Sequence, residues 1–281
     1  MTRTRTVQDV QVPTFLYGTA WKEERTEGLV EEALAAGFRG FDTANQRRHY
    51  YEAGVGAALR SALDAGRVSR DDLFLQTKYS YVESQDQRLP YDPQADFSTQ
   101  VRTSFASSLD HLGVDRIDSL VLHGPRTRQG LSEGDREVWR TMEGLRQEGR
   151  VTLLGISNVT TEQVATLCEM ARIPPAFVQN RCFARLGWDR DVRHVCRQEG
   201  VVYQGFSLLT ANRAELSNSR VRRIAERHGR SIPQIVFRFA LELGMIPLTG
   251  TTDPDHMRQD LAVHDFELSP EDVETLETIS G

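Results

Sequence analysis

The stretch "FRGFDTANQRRHYYEAGVGAALRSALDAG", residues 38–66, contains one complete strand–helix unit of this chain. The apolar run at its start predicts a strand, and the segment 52–66 predicts a helix that ends at a glycine. A polar, basic loop joins them, with Asp42 at its start and Tyr50 and Tyr51 at its end. A loop needs polar residues but does not need paired tyrosines, so this loop is a candidate for function.

The order of a strand followed by a helix recurs along the whole chain. Predicted strands occupy residues 15–21, 38–44, 73–79, 118–124, 151–158, 176–182, 201–207 and 245–251. They are followed by helical patterns such as 26–37, in which apolar residues recur at helical spacing before Gly37. Several strands are continuous apolar runs, which is typical of parallel strands that are buried on both faces.

About eight such units predict an α/β fold with one closed (β/α)8 barrel, the TIM barrel, spanning residues 1–281 as a single domain. The alternation of apolar and polar residues at 7–12 predicts half of a short N-terminal hairpin that closes the bottom of the barrel. Only a short C-terminal tail follows the last unit. A doubly wound open sheet is the alternative, but no G-x-G-x-x-G fingerprint follows the first strand, and this counts against it.

The composition limits the classes of partner. The 281 residues carry a net charge of −6, which argues against nucleic acid because its partners usually need a basic face. No apolar run resembles a signal peptide or spans a bilayer, so no membrane partner is expected. The cysteines, Cys168, Cys182 and Cys196, lack metal-ligand spacing and are typical of free thiols in a reducing cytosol. We therefore expect a cytoplasmic protein without a metal site. Its helix faces show no outstanding apolar stripe, so we expect a monomer or weak homo-oligomer.

Three chemically active side chains stand at the ends of successive predicted strands. Asp42, Lys78 and His123 follow the second, third and fourth strands. Each alone has a structural explanation, as a loop cap, a solvated strand end and a core histidine. Because the carboxyl ends of barrel strands meet at one face, we expect the three side chains to converge there on an active site.

A tyrosine next to such a lysine is a usable proton donor. A lysine ammonium stabilises the phenolate and lowers the tyrosine pKa from its usual value near 10. A paired carboxylate keeps the lysine charged, and a histidine can hydrogen-bond the same carbonyl oxygen that the tyrosine protonates. The set therefore predicts acid catalysis of hydride transfer to a carbonyl group.

Six short motifs resemble those of the aldo-keto reductase superfamily. The resemblance covers nearly the whole chain. They are "GTAWK" (18–22), "GFRGFDTA" (37–44), "LFLQTK" (73–78), "IDSLVLHGP" (117–125), "GISN" (155–158) and "VQN" (178–180). The resemblance implies a barrel enzyme that reduces aldehydes or ketones to alcohols by hydride transfer from NAD(P)H.

The resemblance also implies roles for individual residues. Tyr50 is the expected general acid, tuned by Lys78 and Asp42, while His123 orients the carbonyl. The expected cofactor contacts are Thr19, Ser157, Asn158, Gln179, Phe206, Ser207, Gly250, Thr251, Thr252, His256 and Gln259. The expected substrate pocket includes Trp21, Tyr51 and Gly124.

The loop after Asp42 departs from the superfamily pattern. In most members the tyrosine lies five residues after the aspartate, a position that Arg47 occupies here. The loop is therefore lengthened, and His49, Tyr50 and Tyr51 are the candidates for the acid. The family tyrosine is followed two or three residues later by a glutamate, and a Val-Gly pair comes after it. Glu52 matches that spacing and favours Tyr50, which leaves Tyr51 as a pocket residue or a packing residue at the helix start.

Other departures concern the pocket and the cofactor. Gly124 replaces the bulky tryptophan that usually follows the histidine, which implies a more open pocket. Phe206 replaces a tyrosine that commonly stacks on the nicotinamide, so an aromatic face is retained.

Members that prefer the 2′-phosphate place a lysine and an arginine where this chain has Gly250 and His256. Thr251, Thr252 and the helix N-terminus that follows can still bind a phosphate through hydroxyl and backbone N–H groups. We expect NADPH as the cofactor, with NADH as the alternative.

Two other functions compete with this interpretation. One is a barrel that binds the cofactor but senses or regulates, and the irregular loop between Asp42 and Tyr50 motivates it. The other is an unrelated isomerase or aldolase that uses Lys78 as a Schiff base. The intact Asp, Lys and His count against the first, and the cofactor-side motifs count against the second.

Overall fold

A computed structural model describes residues 3–280 of the chain. It begins with a two-stranded antiparallel hairpin, β1 (Thr4–Val7) and β2 (Val10–Pro13). The two turn residues, Gln8 and Asp9, both have positive φ angles, of 44° and 67°, as a tight hairpin turn requires. Apolar side chains of the hairpin join a cluster with residues from the starts of the barrel strands. The hairpin therefore covers the N-terminal end of the barrel, as the pattern at 7–12 predicts.

Eight parallel strands close into a barrel in the order β10-β3-β4-β5-β6-β7-β8-β9. They are β3 (Leu16–Gly18), β4 (Gly40–Asp42), β5 (Phe74–Tyr79), β6 (Ile117–Leu122), β7 (Val151–Ser157), β8 (Phe177–Arg181), β9 (Val202–Phe206) and β10 (Ile246–Thr249). Every residue of β4, β5, β6 and β10 is buried. This confirms the predicted (β/α)8 barrel and excludes the open sheet.

The helices surround the barrel. They are α1 (Thr26–Ala36), α2 (Glu52–Asp64), α3 (Phe97–Leu112), α4 (Glu133–Gln147), α5 (Thr161–Met170), α6 (Arg190–Gln198), α7 (Arg213–Leu216), α8 (Ser219–His228), α9 (Ile232–Glu242), α10 (Pro254–Leu261) and α11 (Pro270–Glu277). The short α7 has no counterpart in the sequence prediction. No helix between residues 3 and 280 is long and apolar enough to cross a membrane.

Local sequence explains where these helices begin and end. In α1, Leu29, Val30, Ala33 and Leu34 are buried on one face, and Gly37 ends the helix at a φ of 113°, a conformation that glycine adopts without steric cost. Capping boxes start α4, α5, α9 and α11 and satisfy backbone N–H groups that a helix start leaves without partners.

The strand register sets the height of the candidate site. Asp42, the last residue of β4, lies opposite Gln76 of β5, and Lys78 lies two residues further along β5. His123 follows directly after β6. Asp42, Lys78 and His123 therefore sit at the C-terminal end of the barrel, the end where barrel enzymes carry their active sites.

Candidate active site

A buried ion pair forms the base of the site. Lys78 Nζ lies 2.6 Å from Asp42 Oδ2 and donates a second hydrogen bond, of 2.8 Å, to the Thr43 carbonyl. Burial by itself lowers the pKa of Lys78, but the charge of Asp42 and the neighbouring Tyr50 outweigh it, and the net shift raises the pKa. Lys78 is therefore an ammonium ion at neutral pH.

Two glutamine amides hold the other oxygen of Asp42. Gln76 Nε2 donates to Asp42 Oδ1 at 2.7 Å, and Gln179 Nε2 donates to the same oxygen at 3.0 Å. Both amides also donate to Gln204 Oε1. This polar layer beneath the site satisfies the carboxylate and fixes its position, as a buried charge requires.

Tyr50 lies over the ion pair. Its ring centroid is 4.9 Å from Lys78 Nζ, and its ring meets that of His123 edge to face at 5.8 Å. Lys78 acts to lower the pKa of Tyr50, as predicted, but the expected net lowering of that pKa is wrong. Burial raises this pKa, Asp42 adds to the effect, and the opposing action of Lys78 is smaller. Tyr50 therefore keeps its proton at neutral pH.

The lengthened loop folds into a turn that delivers Tyr50 to the site. The backbone N–H groups of His49 and Tyr50 both donate to the Gln46 carbonyl, at 3.1 and 3.0 Å. Gln46 Nε2 donates to the Ser84 carbonyl, and Trp21 N donates to the His49 carbonyl. The additional residues are thus taken up by a turn that neighbouring loops hold in place.

The structure separates the three candidates for the acid. Only Tyr50 contacts Lys78. His49 lies at the cavity wall, where its ring stacks on Trp21 at 3.9 Å. Tyr51 immediately precedes α2 and packs under the guanidinium of Arg47, 4.3 Å from its ring centroid. Tyr51 is not among the residues that line the cavity, so the cavity gives no support to its predicted place in the substrate pocket.

His123 is held as a neutral imidazole. Its surroundings desolvate the ring and Lys78 lies nearby, which together lower its pKa to about 3. Its Nδ1 lies 2.6 Å from the hydroxyl of Ser80. The backbone carbonyl of His123 accepts a hydrogen bond from Asn158 Nδ2 at 2.8 Å.

A cavity of about 830 Å³ opens above these residues, a volume within the range of small-molecule and cofactor sites. Its wall includes Asp42, Tyr50 and His123 together with most of the predicted contacts. These are Trp21, Ser157, Asn158, Gln179, Phe206, Ser207, Gly250, Thr251, Thr252, His256 and Gln259. Within residues 3–280 no group of three His, Cys, Asp or Glu side chains is arranged to hold a metal ion.

Two other predicted contacts lie away from the cavity wall. Thr19 is fully buried and its hydroxyl donates to the Asp42 carbonyl at 3.0 Å, so it helps to hold the end of β4. Gly124 faces Asn158, and a Cβ at Gly124 would lie 3.5 Å from that residue's Cβ.

One end of the cavity offers polar groups beside an aromatic face. Ser157 Oγ donates to the Gln179 carbonyl at 2.6 Å and accepts from Asn158 Nδ2 at 3.0 Å. Phe206 lines the same cavity, with the guanidinium of Arg181 5.8 Å from its ring centroid. Amides beside an aromatic ring suit a flat heteroaromatic carboxamide.

The other end lies where β10 leads into α10. Asp253 caps α10 and accepts from the backbone N–H groups of Asp255 and His256, at 2.8 and 3.2 Å. Asp260 is buried there with Thr249 Oγ1 donating to it at 2.7 Å, and burial raises its pKa to about 7. This end therefore combines hydroxyl groups and one histidine with two carboxyl groups.

Sequence reasoning missed Lys22, Arg181 and Asp260 as cavity residues. Lys22 is buried and donates to the Gly250 carbonyl at 2.8 Å, and burial together with Arg25 lowers its pKa to about 8. Its position in the "GTAWK" motif, directly after Trp21, was the available signal. Arg181 directly follows the "VQN" motif, whereas Asp260 lies near no motif that distinguishes it from a surface charge.

The chain is similar to known proteins over nearly its whole length. The model of the aldo/keto reductase family matches residues 14–280. The chain is 30% identical to the uncharacterized oxidoreductase YtbE of Bacillus subtilis, over 96% of this chain and 90% of that protein. It is 26% identical to a glyoxal reductase of the same organism, with the same coverage. It is also 30% identical to a D-galacturonate reductase of Fragaria ananassa, over 90% and 81% of the two chains.

Solved structures share the fold. An aldo/keto reductase from Brucella melitensis superposes with a TM-score of 0.82 at 26% identity, covering 98% of both chains. A Bombyx mori aldo-keto reductase in complex with NADP superposes with a TM-score of 0.83 at 22% identity, covering 98% of this chain and 92% of that one.

Proposed function

This chain belongs to the aldo/keto reductase family and is an NAD(P)H-dependent enzyme, and from that premise we propose that it reduces an aldehyde or ketone to an alcohol with Tyr50 as the general acid. One observation carries the proposal. Tyr50 lies over the buried Lys78–Asp42 pair and against His123, at the end of a cavity large enough for a dinucleotide and a small carbonyl compound.

Bound NAD(P)H supplies the hydride that reduces the carbonyl carbon. Tyr50 supplies the proton to the carbonyl oxygen, because its raised pKa keeps the phenol protonated at neutral pH. The phenolate that remains lies next to the ammonium of Lys78, which stabilises the negative charge until solvent returns a proton. Asp42 keeps Lys78 charged and in place.

His123 orients the substrate. A neutral imidazole beside Tyr50 contributes a hydrogen bond to the carbonyl oxygen without adding a positive charge next to Lys78. Tyr50 and His123 together define a position for that oxygen, and fixing the geometry of the reacting atoms is a large part of the catalytic effect.

The cavity supports an extended binding mode for the cofactor. Ser157, Asn158 and Gln179 are the proposed partners of the carboxamide, and the ring of Phe206 is the proposed stacking face. Thr251, Thr252 and His256, where β10 leads into α10, would hold the adenosine half.

We propose that both NADPH and NADH are accepted. Thr251, Thr252 and His256 favour a 2′-phosphate through hydroxyl and imidazole groups. Asp253, however, already occupies the first backbone N–H groups of α10, and Asp260 adds a second carboxyl group at the same end of the cavity. This end of the cavity therefore presents both groups that attract a phosphate and a carboxyl group that opposes it.

The Schiff-base function is disfavoured. A Schiff base forms on a neutral amine, whereas Lys78 is held as an ammonium ion by a carboxylate 2.6 Å away. An experiment distinguishes a sensor from a reductase, because a sensor would bind the cofactor and leave carbonyl compounds unreduced.

The test combines binding with turnover. Protein fluorescence is titrated with NADPH and NADH, and reduction of a generic aromatic aldehyde is followed in the wild type, in Tyr50→Phe and in the matched control Tyr51→Phe. We expect binding in all three and turnover that collapses only in Tyr50→Phe. Turnover that survives in Tyr50→Phe would refute the assignment of the acid. Binding without any turnover would favour the sensor, and no binding of either cofactor would overturn the proposal.

A further inference from the structure

The side chain of Ser80 contacts the imidazole ring of His123. Ser80 is the residue directly after β5, it is 1% exposed, and its hydroxyl lies 2.6 Å from His123 Nδ1. The inference drawn from this contact rests on the proposed function, in which His123 orients the substrate.

The backbone of Ser80 is fixed by its neighbours. Tyr91 donates its hydroxyl proton to the Ser80 carbonyl at 2.6 Å, and Gln85 Nε2 donates to the same carbonyl at 3.4 Å. Tyr91 and Gln85 are themselves buried. The Ser80 hydroxyl is therefore presented to His123 by a well-supported loop and not by a mobile one.

The donor and acceptor roles follow from hydrogen-bond satisfaction. A neutral imidazole carries one proton, on Nδ1 or on Nε2. Among the hydrogen bonds within residues 3–280, the Ser80 hydroxyl has no acceptor for its proton other than His123 Nδ1. If Nδ1 carried the proton, the buried hydroxyl proton would be left without a partner, which is unfavourable. The favoured state has Ser80 donating to Nδ1 and the imidazole proton on Nε2.

We propose that Ser80 is a positioning residue that holds His123 as the Nε2–H tautomer, so that the ring nitrogen on the cavity side donates a hydrogen bond to the substrate carbonyl oxygen. In the opposite tautomer, Nε2 would present a lone pair to that oxygen and repel it. The hydroxyl of Ser80 thus decides whether His123 assists Tyr50 or opposes substrate binding in the reactive position.

Nuclear magnetic resonance of the wild-type enzyme with ¹⁵N-labelled histidine tests the tautomer directly. The His123 signals are assigned by their loss in His123→Gln. We expect Nε2 to resonate as a protonated nitrogen and Nδ1 as an unprotonated nitrogen that accepts a hydrogen bond. A protonated Nδ1 in the wild type would overturn the proposal without the use of any Ser80 variant.

Kinetics of two matched serine variants test the consequence. Ser80→Ala removes the hydroxyl, and Ser84→Ala removes a hydroxyl of the same loop that donates to the Tyr81 carbonyl instead. We expect kcat to fall about tenfold in Ser80→Ala, the order by which one hydrogen bond shifts an equilibrium. Its His123 signals should move toward the other tautomer while the Kd for the cofactor is unchanged. Ser84→Ala should match the wild type.

The outcomes separate this inference from the proposed function. A wild type that binds no cofactor or reduces no carbonyl compound would refute the proposed function, while the His123 tautomer would still be measured. If the wild type is active with the Nε2–H tautomer, and Ser80→Ala has the same kcat and the same His123 signals, the role of Ser80 alone is refuted.

Discussion

Removing the charge of Asp42 tests the central claim about the site, because Asp42→Asn leaves the ammonium of Lys78 buried without its counter-ion. The two groups are 2.6 Å apart, and neither side chain is more than 4% exposed. Breaking such a pair by removing one partner costs about 3–5 kcal/mol. For a chain of 281 residues, that loss corresponds to a fall in Tm of about 5–8 °C.

The hydrogen bonds around the ion pair predict different losses of stability in the two single variants, Asp42→Asn and Lys78→Met. When Lys78→Met removes the cation, Asp42 still accepts hydrogen bonds from Gln76 and Gln179. When Asp42→Asn removes the anion, Lys78 keeps only neutral acceptors in place of the carboxylate, the Thr43 carbonyl and the amide oxygen of the new side chain. We therefore expect Asp42→Asn to be the more destabilising change. The double variant should be less destabilised than the sum of the two, because it leaves no unpaired charge.

The pH dependence of the stability provides a second test of the ion pair. In the wild type the pKa of Lys78 is raised by Asp42, so its contribution to stability is complete below the unfolded pKa of about 10.4 and is lost as the pH rises through the folded value. Without Asp42, burial lowers the Lys78 pKa. Raising the pH then removes the proton from Lys78 and with it the cost of burying an unpaired charge. The stability gap between the wild type and Asp42→Asn should therefore narrow from pH 7 to pH 9.5. Urea unfolding at both values measures it, and strictly additive single variants with a constant gap would refute the reasoning.

Three further predictions concern pH and the cofactor. The His123 pKa of about 3 lies below its unfolded value, so His123 stabilises the fold above about pH 6.5 and this contribution is lost as the pH falls toward 3. Urea unfolding between pH 7 and pH 4 should therefore show a smaller loss of stability in His123→Gln than in the wild type. Asp260 has a pKa of about 7, so Asp260→Asn should tighten NADPH binding more at pH 8 than at pH 6, with less effect on NADH; equal changes for both cofactors would remove Asp260 from the phosphate end. Phe206→Ala should weaken both cofactors about tenfold in fluorescence titration through loss of stacking, and an unchanged Kd would place the nicotinamide elsewhere.

Most of the fold was readable from the sequence because its signals are local. Continuous apolar runs identify buried parallel strands, and helical spacing before a residue such as Gly37 identifies the helix ends. The hairpin followed from the alternation at 7–12. The helix α7 was missed because four residues, Arg213–Leu216, are too few to show a helical period.

The site was readable only in part. Asp42, Lys78 and His123 were located by their positions at strand ends, and the spacing to Glu52 distinguished Tyr50 from its neighbours. The direction of the Tyr50 pKa shift could not be predicted from the sequence. It depends on how strongly the burial of Tyr50 in the folded chain opposes the effect of Lys78. Ser80 was missed for a similar reason, since its contact with His123 joins two strands that are 43 residues apart in sequence.

In the proposed mechanism, the raised pKa of Tyr50 changes what Lys78 contributes to catalysis. If the effect of Lys78 exceeded that of burial and brought that pKa near neutral pH, part of the enzyme would hold a phenolate that has no proton to give. Burial instead keeps the phenol protonated before the reaction, and the same desolvated surroundings strengthen the attraction of Lys78 for the phenolate that forms afterwards. The stabilisation therefore appears as charge develops and not in the ground state, which is the condition for an interaction to raise the rate.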